Sequence, residues 1–161
     1  MAILQIQMEK TEKRLQFIES LLAVKGVSKR ELARRMGMSP QNLFIYFQRD
    51  DMRLSVAQAA AAELGCDLTF ALEREEASTS PLVLDIESRV GQNGLTRLAF
   101  LRVAFSMYGI SRKDVAEKLG LNYTGVNRWF RVDDIAINYI FKIADCYGLK
   151  VRPIIKTKQA S

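Results

Sequence analysis

Apolar residues recur every three or four positions through most of the 161-residue chain, the spacing of helices that bury one face. Leu15, Ile18, Leu21 and Leu22 keep this spacing inside Lys10 to Lys25, and Gly26 stops the run. Ser28-Lys29-Arg30-Glu31 has the form of a capping box, in which the serine oxygen accepts from a free N–H and the glutamate reaches back. The helix that it opens carries Leu32, Ala33 and Met36 and ends at Gly37, a residue suited to a left-handed C-cap. Ser39-Pro40 opens a third helix, with Ser39 as N-cap and Pro40 in the first turn, running through Leu43, Tyr46 and Phe47. A fourth helix, near Ser55 to Leu64, stops at Gly65.

Period-two patterns flank these helices. Leu68, Phe70 and Leu72 alternate with Thr69, Ala71 and Glu73, which predicts a half-buried strand. Val151 to Ile155 predicts its counterpart, with Pro153 confining it to an edge or a bulge. Ala2-Ile3-Leu4-Gln5-Ile6-Gln7 and Leu82-Val83-Leu84-Asp85-Ile86-Glu87 resemble each other and predict a further strand in each half. The polar stretch from Arg74 to Pro81 is expected to turn the chain between the halves.

The halves repeat. Residues 14–73 align without a gap on residues 97–156, an offset of 83, with twelve of sixty positions identical. The identities fall at glycines, alanines and core-type positions, among them Gly26/Gly109, Ser28/Ser111, Ala33/Ala116, Gly37/Gly120 and Phe47/Phe130. The adjacent carboxylates Asp50-Asp51 recur as Asp133-Asp134, where solvated caps for the next helix are expected rather than a metal pair. Two tandem units follow, 1–73 and 82–161, joined by a linker at 74–81. The expected fold is mainly α: tandem duplicated four-helix units whose short flanking β-strands form a small sheet.

One spacing bears on function. Ala33, Gly37 and Leu43 recur as Ala116, Gly120 and Val126. Two helices crossing steeply over a short turn need a small residue where the backbones meet, glycine where the chain reverses, and an apolar residue to close the pocket. The stretches Glu31 to Leu43 and Val115 to Phe130 resemble the lambda-repressor-like helix-turn-helix family, the xenobiotic-response-element type of bacterial and phage regulators. The resemblance covers both copies, about 120 residues. It implies that the second helix of each pair enters the major groove of double-stranded DNA. It also implies a transcription regulator in which one chain supplies both reading helices as a covalent pseudo-dimer. Members often carry Gln at the first turn of the reading helix. Here Pro40 and Tyr123 stand at that place, so no base preference transfers.

Helical spacing assigns the exposed side chains. In the second copy Val126, Trp129 and Phe130 form the expected buried stripe, and Thr124, Asn127, Arg128 and Arg131 share the opposite face. Arg and Asn suit guanine and adenine edges. Arg112 and Lys113 open the preceding helix and are expected at phosphates, with Asn122 and Tyr123 at the start of the reading helix. The corresponding candidates in the first copy are Lys29, Arg30, Ser39, Gln41, Asn42 and Gln48, with Arg34 and Arg35 adding charge. Phe44 and Ile45 interrupt that polar face. Thymine methyls, packing on the second copy and a protein partner are all open to them.

Charge supports a polyanion. The net charge is +6, divided as +1 over residues 1–73, −2 over 74–96 and +7 over 97–161. The chain has no histidine, so the commonest general base and metal ligand is missing, and neither an enzyme nor a metal or other cofactor is expected. Cys66 and Cys146 do not align under the offset and are expected as buried free thiols. A start without a secretory pattern and the lack of a long apolar run point to the cytoplasm, with no membrane span. The rival expectation is a protein-interaction module such as an antitoxin-like subunit, with Phe44 and Ile45 on a protein partner, or a homodimer.

Overall fold

A computed structural model of the chain describes residues 3–4, 13–75 and 79–158. The described residues form a mainly helical fold with a small antiparallel sheet. In chain order the elements are β1 (Ile3–Leu4), α1 (Gln16–Lys25), α2 (Lys29–Met36), α3 (Pro40–Arg49), α4 (Leu54–Glu63), β2 (Cys66–Glu73), α5 (Pro81–Arg89), α6 (Ala99–Tyr108), α7 (Arg112–Leu119), α8 (Tyr123–Val132), α9 (Ile137–Cys146) and β3 (Lys150–Thr157). Each of α6 to α9 begins and ends 83 residues after its match among α1 to α4. Among the described residues no helix is long and apolar enough to cross a membrane.

Most local signals act as read. Ser28 and Ser111 accept from the amides of Glu31 and Asp114, and Gly37 and Gly120 end their helices in the left-handed conformation. The glutamate half of the capping box does not form, because Glu31 is held by Arg34 and Arg35 instead. The helix expected from Lys10 opens at Gln16, and residues 10–12 lie outside the described residues. Its entry is fixed where the Arg14 and Leu15 amides donate to the Asp50 carboxylate at 2.8 and 3.0 Å.

Residues 82–87, expected as a strand, lie in helix α5. Ser80 accepts from the Val83 amide at 3.2 Å and Pro81 occupies the first turn. The buried side chains Val83, Ile86 and Val90 follow helical spacing, while Leu82 and Leu84 remain exposed. The capping signal at Ser80-Pro81 therefore outweighs the short period-two alternation. Of the matching stretch 2–7, Ile3 and Leu4 form β1 and the rest lies outside the described residues.

The sheet order is β1-β3-β2, so β3 is the middle strand, where an edge or a bulge is the expectation. Pro153 pairs with Phe70 of β2, whereas the described part of β1 pairs only with Ile155 and Lys156. A residue of an antiparallel strand turns both backbone groups to one side, so a proline fits where it faces away from its partner. Both faces of β2 are covered, which corrects the half-buried expectation. Leu68, Phe70, Leu72 and Ile155 join the main helical core, and Ala71 and Ile154 pack under Val83 and Val90 at α5. Arg152 pairs with Glu73 of β2 at 3.1 Å and reaches Glu87 of α5 at 3.8 Å, and Lys156 donates to the Ser88 carbonyl of α5 at 3.1 Å.

One buried apolar cluster runs through both helix sets, and the contacts between them are reciprocal. The Leu54 amide donates to the Ile135 carbonyl at 2.8 Å, and its match Ile137 donates to the Met52 carbonyl at 2.9 Å. Neither α4 nor α9 caps its own start with a side chain. Asp134 instead accepts from the Ser55 amide at 3.0 Å and the Ser55 hydroxyl at 2.6 Å. Asp51 accepts from the Asn138 amide at 2.8 Å. Arg53 bridges Ala136, and Phe70 pairs with Pro153; in both pairs the residues are 83 positions apart. A residue that meets its own match lies on a two-fold axis, as at an isologous interface. Phe70 also touches Phe17 and Phe100, a matched pair, with ring centroids at 5.3 and 5.8 Å.

The acidic pairs are thus caps, but not for the next helix of their own set. Asp50 and Asp133 adopt φ of 56° and 55°, and each carboxylate accepts from the two amides that precede its own set's first helix. Cys66 is buried, which pushes its thiol pKa up. Cys146 is exposed, contrary to expectation, because its position near the end of α9 matches the solvent-facing Glu63. Replacing Asp134 with Ala should destabilise the fold by about 1–2 kcal/mol, the usual worth of an N-cap. In urea unfolding the midpoint falls while the slope is unchanged, and an unaltered midpoint would remove the cap from the account.

Candidate nucleic-acid interface

The pairs α2–α3 and α7–α8 each close over a three-residue turn built from the spacing noted above. Ala33 and Ala116 sit buried where the helices approach. Gly37 and Gly120 reverse the chain at φ 71° and 66°, and the next amides, Met38 and Leu121, donate to the carbonyls of those alanines at 3.0 and 2.8 Å. A side chain bearing Cβ is strained in that left-handed backbone, so glycine is favoured at the turn. Leu43 and Val126, each fully buried, lock the second helix of each pair in place. Ser39 caps α3 by accepting from the Asn42 amide at 3.2 Å, whereas Asn122 stands at the N-cap of α8 without a side-chain bond.

On α8 the buried residues are Val126 and Phe130, and Trp129 is half-buried with its ring 5.1 Å from Tyr139. Thr124, Arg128 and Arg131 are exposed on the opposite face, as are Asn122 and Tyr123 at its start. Asn127 departs from expectation. It is half-buried, and its Oδ1 accepts from Arg112 at 3.1 Å, so it faces the neighbouring helix. Arg112 in turn lies 4.0 Å over the Phe130 ring, and Arg102 of α6 lies 4.8 Å from the same ring. An aromatic face attracts a cation, which partly offsets the repulsion of two guanidinium groups on one ring.

The first set has the same scaffold and a different charge. Lys29, the match of Arg112, lies 4.4 Å over Phe47, the match of Phe130. Beside it stands Glu19, the match of Arg102, at 2.8 Å from the ammonium nitrogen. The cation over the ring is therefore neutralised in one set and doubled in the other. Arg34 and Arg35 are also engaged, since both reach Glu31 and hold its carboxyl pKa down to about 2. Arg30 is exposed, and so are Gln41, Asn42, Phe44, Ile45 and Gln48 of α3.

Around α8, by contrast, no carboxylate is within ion-pairing distance of Arg102, Arg112, Lys113, Arg128 or Arg131 among the described residues. Asp114, nearest in sequence, is turned to the Tyr147 hydroxyl, which lowers its carboxyl pKa, and to Lys118 at 3.4 Å. Arg102 was missed by motif reasoning because it lies on the helix before the motif. Its signal was present in the alignment, where an acid of one copy faces a base of the other beside the same aromatic. No family model matches the chain, and no curated protein or solved structure matches it either.

The Glu31 cluster makes a pH prediction. Its depressed carboxyl pKa means that the two arginine contacts are intact above the usual carboxylate range and are lost as pH falls through about 2. An NMR titration of the Glu31 carboxyl should give that midpoint, and Arg34→Ala should move it upward. A midpoint in the ordinary carboxylate range would leave Arg34 and Arg35 free.

Proposed function

We propose that the chain is a sequence-specific double-stranded DNA-binding protein. It acts as a cytoplasmic transcription regulator of bacterial or phage type, with no catalytic role. Its two helix sets are tandem lambda-repressor-like helix-turn-helix units that arose by duplication and work as a covalent pseudo-dimer. The observation that carries the reading is the α8 face: exposed Thr124, Arg128 and Arg131 beside two guanidinium groups on Phe130 that no carboxylate meets among the described residues.

In this reading α8 lies in the major groove. Arg128 and Arg131 donate to guanine O6 and N7, and Thr124 contacts a neighbouring base. Arg112 and Lys113, at the start of α7, meet phosphate oxygens together with the free amides of the helix start. Asn127 positions Arg112 for that contact. Arg102 approaches the same strand of phosphates, and anion binding relieves its repulsion with Arg112. The reciprocal caps support the pseudo-dimer, because they hold α3 and α8 as two-fold mates that can address successive major grooves roughly 34 Å apart. The exposed Phe44 and Ile45 favour a second reading, in which α3 binds a protein partner or another copy of the chain.

Duplex affinity should fall steeply with salt, with about 0.9 in log K lost per log unit of salt for each phosphate neutralised. Arg102→Glu, which recreates the Glu19–Lys29 pair, should flatten that slope and weaken all sequences alike. Arg128→Ala should cost about 1–3 kcal/mol and relax discrimination at one base pair. Fluorescence anisotropy at several salt concentrations, on selected and random duplexes, checks all three. Absence of duplex binding at low salt would defeat the proposal.

A further inference from the structure

The two reading faces differ in chemistry as well as charge. At matched positions α8 carries Thr124, Asn127, Arg128 and Arg131, of which Asn127 is turned to Arg112, and the face of α3 carries Gln41, Phe44, Ile45 and Gln48. Both helices have the same length, the same turn before them and the same buried anchors. Phe44 and Ile45 stand where Asn127 and Arg128 stand, with 44% and 38% of their surfaces exposed.

In the major groove the single apolar feature of the base edges is the thymine C5-methyl, and a carboxamide pairs bidentately with adenine N6 and N7. The α3 face is an amide, two apolar side chains and an amide, and its one arginine, Arg49, closes the helix. It therefore presents two groups that suit adenine, two that suit thymine methyls, and no basic side chain at the four matched reading positions. Resting on the DNA-binding reading above, we infer that α3 reads an A·T-rich half-site, with Phe44 and Ile45 seated on thymine methyls and Gln41 and Gln48 on adenine edges. The guanine-reading side chains belong to α8, so the full site is asymmetric in composition.

Area and charge favour this occupant over a protein. Phe44 and Ile45 together expose on the order of 150 Å² of apolar surface. A stable protein interface buries about 800 Å² on each partner. The amides at either end would have to lose water in such an interface, whereas base edges supply them with partners. No carboxylate lies on α3, while Arg30 and Arg49 are exposed near its two ends, which suits flanking phosphates.

The test uses the full chain and a duplex recovered by selection from a random library. Its two halves are assigned by the base pair at which Arg128→Ala loses discrimination. Thymines are then replaced by deoxyuridine, which lacks only the methyl, in one half at a time. Replacement in the half away from Arg128 should weaken binding roughly fourfold per methyl, the worth of one buried methyl-sized group. Replacement in the Arg128 half should leave affinity unchanged. A Phe44→Ala/Ile45→Ala variant should bind more weakly and no longer distinguish thymine from deoxyuridine. Wild-type binding that ignores deoxyuridine in both halves, or a half-site without A·T preference, overturns the inference and leaves the DNA-binding reading standing; α3 then serves a protein partner. Failure to bind any duplex overturns both. The comparison on wild-type protein needs no variant to fold.

Discussion

Two carboxylates, each at the start of a helix that belongs to the other half, set the geometry on which everything else depends. Asp134 takes the free amide of Ser55 at α4, and Asp51 takes that of Asn138 at α9. The first turn of a helix is a concentration of unpaired donors and positive potential, so a carboxylate there is both a hydrogen-bond partner and a favourable charge. Because each half lacks a side-chain cap of its own at this helix, neither completes the start of its fourth helix alone. The β2–β3 pairing adds a second reciprocal constraint, and Phe70 fills the space on the axis between Phe17 and Phe100. Two sets of contacts separated along one axis fix both distance and angle, which a linker alone cannot do.

On this two-fold frame the differences between halves are concentrated outside. The offset keeps Ala, Gly and Phe where helices meet, and exchanges Glu19 for Arg102, Ile45 for Arg128 and Gln48 for Arg131 where they face solvent. Each of these exchanges moves charge toward the second half. In the first half, cations over and beside the motif are satisfied within the protein, by Glu19 and Glu31. In the second, Arg102 and Arg112 share a ring, and among the described residues no carboxylate lies within ion-pairing distance of either. Like charge gathered on one ring is a cost that a nearby polyanion lowers.

Much of this was legible in the chain, and the exceptions have physical causes. The eight matched helices follow from apolar spacing, helped by serine caps on α2, α3 and α7 and by glycines after α1, α2, α6 and α7, because capping is local chemistry. The partners of Asp50, Asp51, Asp133 and Asp134 were not legible. Apart from the bond between Asp134 and the adjacent Ile135 amide, their side-chain bonds span 35 to 87 residues, and no local pattern says which amide an acid will reach. Helix α5 was misread because Leu82, Val83, Leu84 and Ile86 fit two periods at once, and the deciding cap lay in the segment assigned to the linker. Asn127 was assigned outward by spacing alone, but a half-buried position beside Arg112 redirected its amide. The missing donor of Pro153 predicts an edge or a bulge, yet a middle strand holds it, since among the described residues β1 pairs with β3 only at Ile155 and Lys156.

The most direct measurement of the central claim is a hydroxyl-radical footprint of one chain on its selected duplex, with stoichiometry from sedimentation. The proposed reading, with α3 and α8 held about one axis, predicts a 1:1 complex with two protected patches on the same side of the duplex, about 10 base pairs apart. A single protected patch, or two patches that require two chains, would contradict it.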